Sequence, residues 1–287
     1  MKKLFGLLVG LLLGISSCFA ACDTSMCAQP PYPVGGSIST TISNITGVNF
    51  ILSKALEIAV EKELKNALGS KFDVEIYPYG GKNLIDGKFK KVTAKSKNLN
   101  INGLHISEVT AESLCDYNRF VLKDGKVFTA ENFLFGYTAT ITSDDLQKTL
   151  LSPEYIKLLN STTVSVNNFV MFKLFDPIAK IKNDRLYLSV KVISPLINAK
   201  GVKEISLNMG LAVNNGQIVF TDVKLNDNAC ANLNSLLPII NKINPFTFKT
   251  NIMDNRNSVV KVNDIYMTSD KIVIKGVVLT PKNYYND

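Results

Sequence analysis

Alternation with period two constrains this chain more than any other feature. Phe72, Val74 and Ile76 alternate with Asp73, Glu75 and Tyr77. Leu99 and Ile101 keep the rhythm, Gly103 resets it, and Leu104 and Ile106 resume it. Leu186, Leu188, Val190 and Val192 form another run, followed by Ile205, Leu207, Met209, Leu211 and Val213, then Ile218 and Phe220. Successive strand residues point to opposite faces, so each run predicts a strand with one apolar face. Turn formers stand between the runs: Asp124-Gly125, Asn183-Asp184, Asn214-Asn215-Gly216 and Ser269-Asp270. Such residues favour tight hairpins, so the strands are expected to pair antiparallel. Frequent Lys and Asn, and helices that interrupt the strands, argue against an outer-membrane barrel.

The clearest helix is expected over Phe50 to Leu68. Leu52, Ala55, Leu56, Ala59, Val60 and Ala67 share one face, and Lys54, Glu57, Glu61 and Lys65 are expected opposite. Asn49 suits its start and Gly69 its end. Glu63 falls on the apolar face and reads as a snorkelling residue. A second helix is expected from Ser143 through Leu150, broken or restarted at Pro153 before Tyr155 to Leu159. A third spans Ala229 to Ile243, kinked at Pro238. The fold class is α+β: long antiparallel hairpins, one long N-terminal amphipathic helix and two weaker ones. One domain is expected over residues 48–282, with a tail over 283–287; a split near Thr163 is the alternative.

Residues 1–20 have the layout of a secretory signal: Lys2 and Lys3, an apolar run from Leu4 to Ile15, then small residues. The run is shorter than the roughly 20 residues a spanning helix needs. Two processing routes are open. One is cleavage after Ala20. The other is acylation of Cys18, since Ile15-Ser16-Ser17-Cys18 resembles a lipoprotein box. Residues 21–47, rich in Cys, Pro, Ser and Thr, then form a flexible leader. Export to the periplasm or cell envelope is the expectation on either route.

Charge then changes meaning. The formal +8 falls to about +6 once Lys2 and Lys3 are removed. The excess is dispersed in small clusters such as Lys88-Phe89-Lys90-Lys91, which argues against nucleic acid and fits a mild attraction to anionic head groups. Cys22, Cys27, Cys115 and Cys230 are an even set suited to an oxidising compartment. Four cysteines allow three pairings, of which Cys22–Cys27 with Cys115–Cys230 is the simplest.

Catalytic signatures are scarce: there is no GxSxG, HExxH, P-loop or GxGxxG. His105, the only histidine, reads as a polar-face strand residue. Asp144-Asp145 reads as helix first-turn acids, and Asp222 with Asp227 as strand-end and turn acids. No enzyme, metal site or cofactor is expected. An apolar content of 46% suffices for the core of one large domain. Pattern alone leaves open whether that surface is a solid core or a lined channel.

The order of several segments carries further information. Ile51-Leu-Ser-Lys-Ala-Leu-Glu-Ile-Ala-Val-Glu-Lys-Glu-Leu64 is followed by Phe72-Asp-Val-Glu-Ile-Tyr-Pro78. Leu84-Ile-Asp-Gly-Lys-Phe-Lys-Lys-Val92 and Leu104-His-Ile-Ser-Glu-Val109 come next. Later come Thr142-Ser-Asp-Asp-Leu146, Leu236-Leu-Pro238 and Val273-Ile-Lys-Gly276. This order, over roughly residues 50 to 280, resembles the LmeA-type phospholipid-binding family of bacterial envelope proteins, which is similar in architecture to the tubular lipid-binding (TULIP) proteins. The cysteines and the leader lie outside the pattern.

The resemblance implies a strongly curved antiparallel sheet wrapping the long helix and an apolar groove for phospholipid acyl chains. It also implies carriage or presentation of lipid at a membrane surface. Leu52, Leu56 and Val60 on the helix, with Leu207, Met209 and Leu211 on a central strand, are the expected groove contacts. The competing reading is a structural or adhesive envelope module with a filled core and a protein partner. An elongated apolar pocket of several hundred Å³ would favour the first, and a packed interior the second.

Overall fold

The computed structural model describes residues 27–30, 34, 48–124, 126–161, 164–166, 169–193, 203–225, 240–241, 243–246 and 259–282. The signal, most of the leader, Cys18, Cys22, Cys230, Asp227 and most of the expected helix from Ala229 lie outside these residues.

Helix α1 (Val48–Leu68) opens the described fold. It stops at Gly69, whose N–H donates to the Lys65 carbonyl at 2.9 Å. The hairpins then follow as β1 (Asp73–Pro78), short helix α2 (Gly81–Ile85), β2 (Lys88–Ile101), β3 (Leu104–Ser113), β4 (Asn118–Lys123), β5 (Lys126–Thr129) and β6 (Phe133–Thr142). Helices α3 (Ser143–Leu150) and α4 (Pro153–Ser161) interrupt the strands at the expected place. Beyond them lie β7 (Val164–Val166), β8 (Phe169–Lys182), β9 (Arg185–Ile193), β10 (Lys203–Asn214), β11 (Gln217–Leu225), β12 (Val259–Met267) and β13 (Lys271–Thr280). Helix α2 has no counterpart in the sequence expectations.

The strands form two sheets. Eight strands make the larger, ordered β12-β13-β6-β3-β2-β4-β5, with β1 on the other side of β2. Five make the smaller, ordered β11-β10-β9-β8-β7. Every pairing among them is antiparallel. The turns fall where Asn, Asp and Gly promised them. Asn183 and Asp184 take φ of 52° and 57°, and Asn215 and Gly216 take 51° and 75°. Two successive positive φ values match the twist of the flanking strands. Asp176 and Asp222 also take positive φ, each where a strand register shifts. These bulges bend the long strands.

Burial follows the period-two reading. Phe72, Val74 and Ile76 are buried while Asp73, Glu75 and Tyr77 are exposed. Leu99, Ile101, Leu104, Ile106, Tyr137, Ala139 and Ile141 enter one continuous core with Leu186, Leu188, Val190, Leu207 and Met209. Phe89, Phe120 and Phe133 anchor one end, with centroids 4.9 Å and 4.8 Å apart in successive pairs.

The helices close open sheet edges with side chains. Strand β1 is an edge, and its outward Ile76 N–H donates to Glu57 at 2.9 Å while Val74 N–H donates to Glu61 at 3.2 Å. The buried stripe of α1 is therefore Ser53, Leu56, Glu57, Val60, Leu64 and Leu68. This corrects the expected helix face: Glu57 and Glu61 turn toward the sheet, and Ala55 is exposed. An unpaired edge N–H needs an acceptor, and a carboxylate supplies a strong one.

Helix α3 joins the two sheets by the same device. Its N-cap is Thr142, one residue before the expected Ser143, in a capping box with Asp145. Ser143 instead accepts the Ile181 N–H of β8 at 2.8 Å. Gln147 accepts from Ala179 N–H at 3.0 Å and donates to the Pro177 carbonyl at 3.1 Å. On the other side, Thr149 accepts the His105 N–H of β3 at 2.9 Å. The sheets also meet where the β10–β11 turn reaches β12, with Val262 N–H donating to the Gly216 carbonyl at 3.1 Å.

Candidate functional site

Alternation carries Tyr137 and Ile141 to the inner face of β6, with Leu104 of β3 and Ile274 of β13 beside them. Val262 of β12, Ile218 of β11 and Phe246 complete an enclosed apolar cavity at the seam between the sheets. Its volume is about 10 Å³, room for about one water. Tyr137 lies opposite Gly276 of β13. A Cβ at Gly276 would fall 2.7 Å from the tyrosine ring and 2.2 Å from the Lys261 carbonyl oxygen, so only glycine admits this approach. The Tyr137 hydroxyl is buried with no hydrogen-bond partner, and burial pushes its pKa well up. A buried hydroxyl without a partner costs about 1–3 kcal/mol.

The expected groove residues divide between two places. Leu56 and Val60 are buried on α1, with Leu52 half-buried. Leu207 and Met209 are buried on β10, with Leu211 half-buried. Helix α1 packs chiefly on β1, α2 and β5, whereas β10 packs chiefly on β9, β11 and β12. They share one continuous core but pack mainly on different elements. The seam residues Tyr137, Ile218 and Phe246 were not anticipated. Only the alternation at β6 hinted at Tyr137.

Two surface grooves are larger, with mixed polar and apolar walls. One, about 440 Å³, runs between α1 and β1 and is lined by Ser53, Lys54, Glu57, Asp73, Glu75 and Lys95 among others. The other, about 790 Å³, brings Asn100, Asn102, His105, Lys148, Ser152 and Glu154 together. Burial lowers the His105 pKa and the Lys148 charge lowers it further, against a smaller opposing pull from Asp145. Burial alone would raise Asp145, but the Ser107 hydroxyl, the Thr142 N–H and the Thr142 hydroxyl all donate to it and hold its carboxyl below the ordinary value. The second acid of the Asp144-Asp145 pair is thus a structural knot. The Lys224 ammonium at 3.1 Å and the Arg185 guanidinium at 2.8 Å likewise hold the Asp222 carboxyl below its ordinary value, and Arg185 also donates to the Asp222 backbone carbonyl at 2.6 Å.

The disulfide corrects the simplest cysteine pairing. Cys27 is bonded to Cys115, which lies between β3 and β4. The fold brings Cys27 to that corner and so removes it from a short loop with Cys22. Such bonds persist chiefly in oxidising compartments. Among the described residues no helix is long and apolar enough to cross a membrane, and no cluster of three or more His, Cys, Asp or Glu could hold a metal ion.

The fold and site define a mixed α+β protein of two antiparallel sheets around an apolar seam. No family model matches the sequence, and no curated protein or solved structure does so either.

Proposed function

We propose that the chain is an exported protein of the bacterial cell envelope that takes phospholipid acyl chains into the apolar space between its sheets, and carries or presents them. The observation that carries this reading is the continuous apolar core shared by the two sheets, with a small apolar cavity left open at their seam. Each methylene of an incoming chain buried between these apolar walls would contribute about 0.8 kcal/mol. The segment order resembling LmeA-type proteins supports the same reading, and on that resemblance the proposal includes a TULIP-like wrapping of the curved sheet around the long helix. The Cys27–Cys115 bond and the signal layout support export, with Cys18 acylated or the chain cut after Ala20. Intact mass of the mature protein separates those two routes.

Native mass spectrometry after gentle purification is expected to show bound lipid, and the protein to move labelled phospholipid between liposomes. Absence of both overturns the reading. The second reading is a filled-core module with a protein partner, and the small cavity volume favours it. It predicts a lipid-free protein whose stability is indifferent to added fatty acid.

A further inference from the structure

Helix α1 divides its charges by direction. Glu57 and Glu61 turn inward to the edge of β1, and Glu63 is half-buried. The exposed positions are Ile51, Lys54, Ala55, Ile58, Lys62, Lys65 and Asn66, which recur three or four residues apart along one face. That face holds no acid. Ile51 and Ile58 are 67% and 61% exposed, so neither side chain serves the core. Lys54 is ion-paired with Glu57 at 2.8 Å, whereas Lys62 and Lys65 project freely to solvent on the same face.

The elements packed on α1 extend the pattern. Ile85 of α2 is 70% exposed. The β4–β5 hairpin, whose β5 touches α1, carries exposed Leu122 with Lys123 and Lys126. Four of the ten exposed large apolar side chains among the described residues thus belong to α1, α2 and the β4–β5 hairpin. Asp86 is paired to Lys88, and the β1 acids Asp73 and Glu75 line the groove that borders this face at Lys54. Asp124 remains at the hairpin tip.

We propose that this outward face of α1 docks the protein on an anionic lipid bilayer. Ile51 and Ile58 would enter the head-group boundary while Lys62 and Lys65 pair with lipid phosphates. Exposed apolar side chains set among lysines combine apolar insertion with attraction to anionic head groups, the two contributions that hold a protein at a bilayer surface. Each lysine near an anionic surface adds attraction that falls off within a Debye length. The face is distinct from the seam cavity, so vesicle binding and lipid uptake can fail separately.

The test is co-sedimentation of the full chain with phosphatidylcholine vesicles made with and without phosphatidylglycerol. Residues before Val48 are common to all variants, so differences between variants read α1 alone. Wild type is expected to bind the anionic vesicles more strongly and to lose binding as salt rises. Ile51→Asp/Ile58→Asp and Lys62→Glu/Lys65→Glu should each weaken partitioning about tenfold or more. Ile178→Asp, at an exposed apolar site on β8, should bind like wild type. Circular dichroism confirms that each variant is folded. Unchanged binding by both α1 variants, or binding that ignores phosphatidylglycerol, overturns the proposal. So does a wild-type dimer that the Ile variant splits while vesicle binding persists, which would make the face a self-interface.

Discussion

Replacing Asp145 tests the knot that ties α3 to the large sheet. One carboxylate oxygen takes the Thr142 N–H at 2.9 Å, the Thr142 hydroxyl at 2.7 Å and the Ser107 hydroxyl. The residue is buried. Asp145→Ala removes half of a capping box, worth about 1 kcal/mol. It also strands donors that had a charged partner, worth about 2 kcal/mol more. The expected loss is about 3 kcal/mol near pH 7, or a fall in Tm of roughly 8 °C for a domain of this size. Asp145→Asn keeps an acceptor oxygen and should lose about half as much. The pH dependence discriminates further. The folded carboxyl is held below its ordinary value, so the unfolded chain takes up the proton first as pH falls. Its contribution is therefore full above the ordinary carboxylate range and is lost as pH falls through the folded value. Urea melts of wild type and Asp145→Asn should differ near pH 7 and converge as pH falls below the ordinary carboxylate range. A loss under about 1 kcal/mol in the alanine variant refutes the reasoning. An offset in the asparagine variant that does not change with pH refutes it too.

Other outcomes follow from single contacts. Cys115→Ser opens a bridge between residues 88 apart, and the loop-entropy argument puts the cost at about 3–5 kcal/mol, read by melts with and without reductant. Tyr137→Phe should raise stability by about 1 kcal/mol in the lipid-free protein, since it deletes an orphaned hydroxyl; a loss would mean the hydroxyl has a partner in solution. Glu57→Ala should cost about 1–2 kcal/mol and speed hydrogen exchange at the Ile76 amide, while leaving exchange in β10 unchanged. Gly276→Ala should cost several kcal/mol, because its methyl collides with backbone that cannot retreat.

The strands were legible because their rules are local. Asn183-Asp184 and Asn215-Gly216 name their own turns, and alternation names the buried face of β1, β3 and β9. Helix α1 was legible in extent but not in orientation. Glu57 and Glu61 look solvent-facing by charge alone, and only the neighbouring edge of β1 gives them a reason to turn inward. The same holds for Ser143 and Gln147, whose partners lie more than thirty residues away on β8. Cysteine connectivity is a property of the folded path, so counting could not choose Cys27–Cys115. The seam cavity escaped because seven residues from six separate places create it.

That bridge also sets the length of a leash. Were Cys18 acylated, the stretch from the lipid to the point where the chain is fastened to the folded body would be about nine residues, ending at Cys27 rather than at Val48. Fully drawn out, it reaches about 30 Å, against about 100 Å for a leash running on to α1. Everything between Cys27 and α1 becomes a closed loop that adds nothing to the reach. Reducing one covalent bond would therefore roughly triple the height to which the body can rise above the bilayer. Redox state would set how far the protein can explore without changing what it binds.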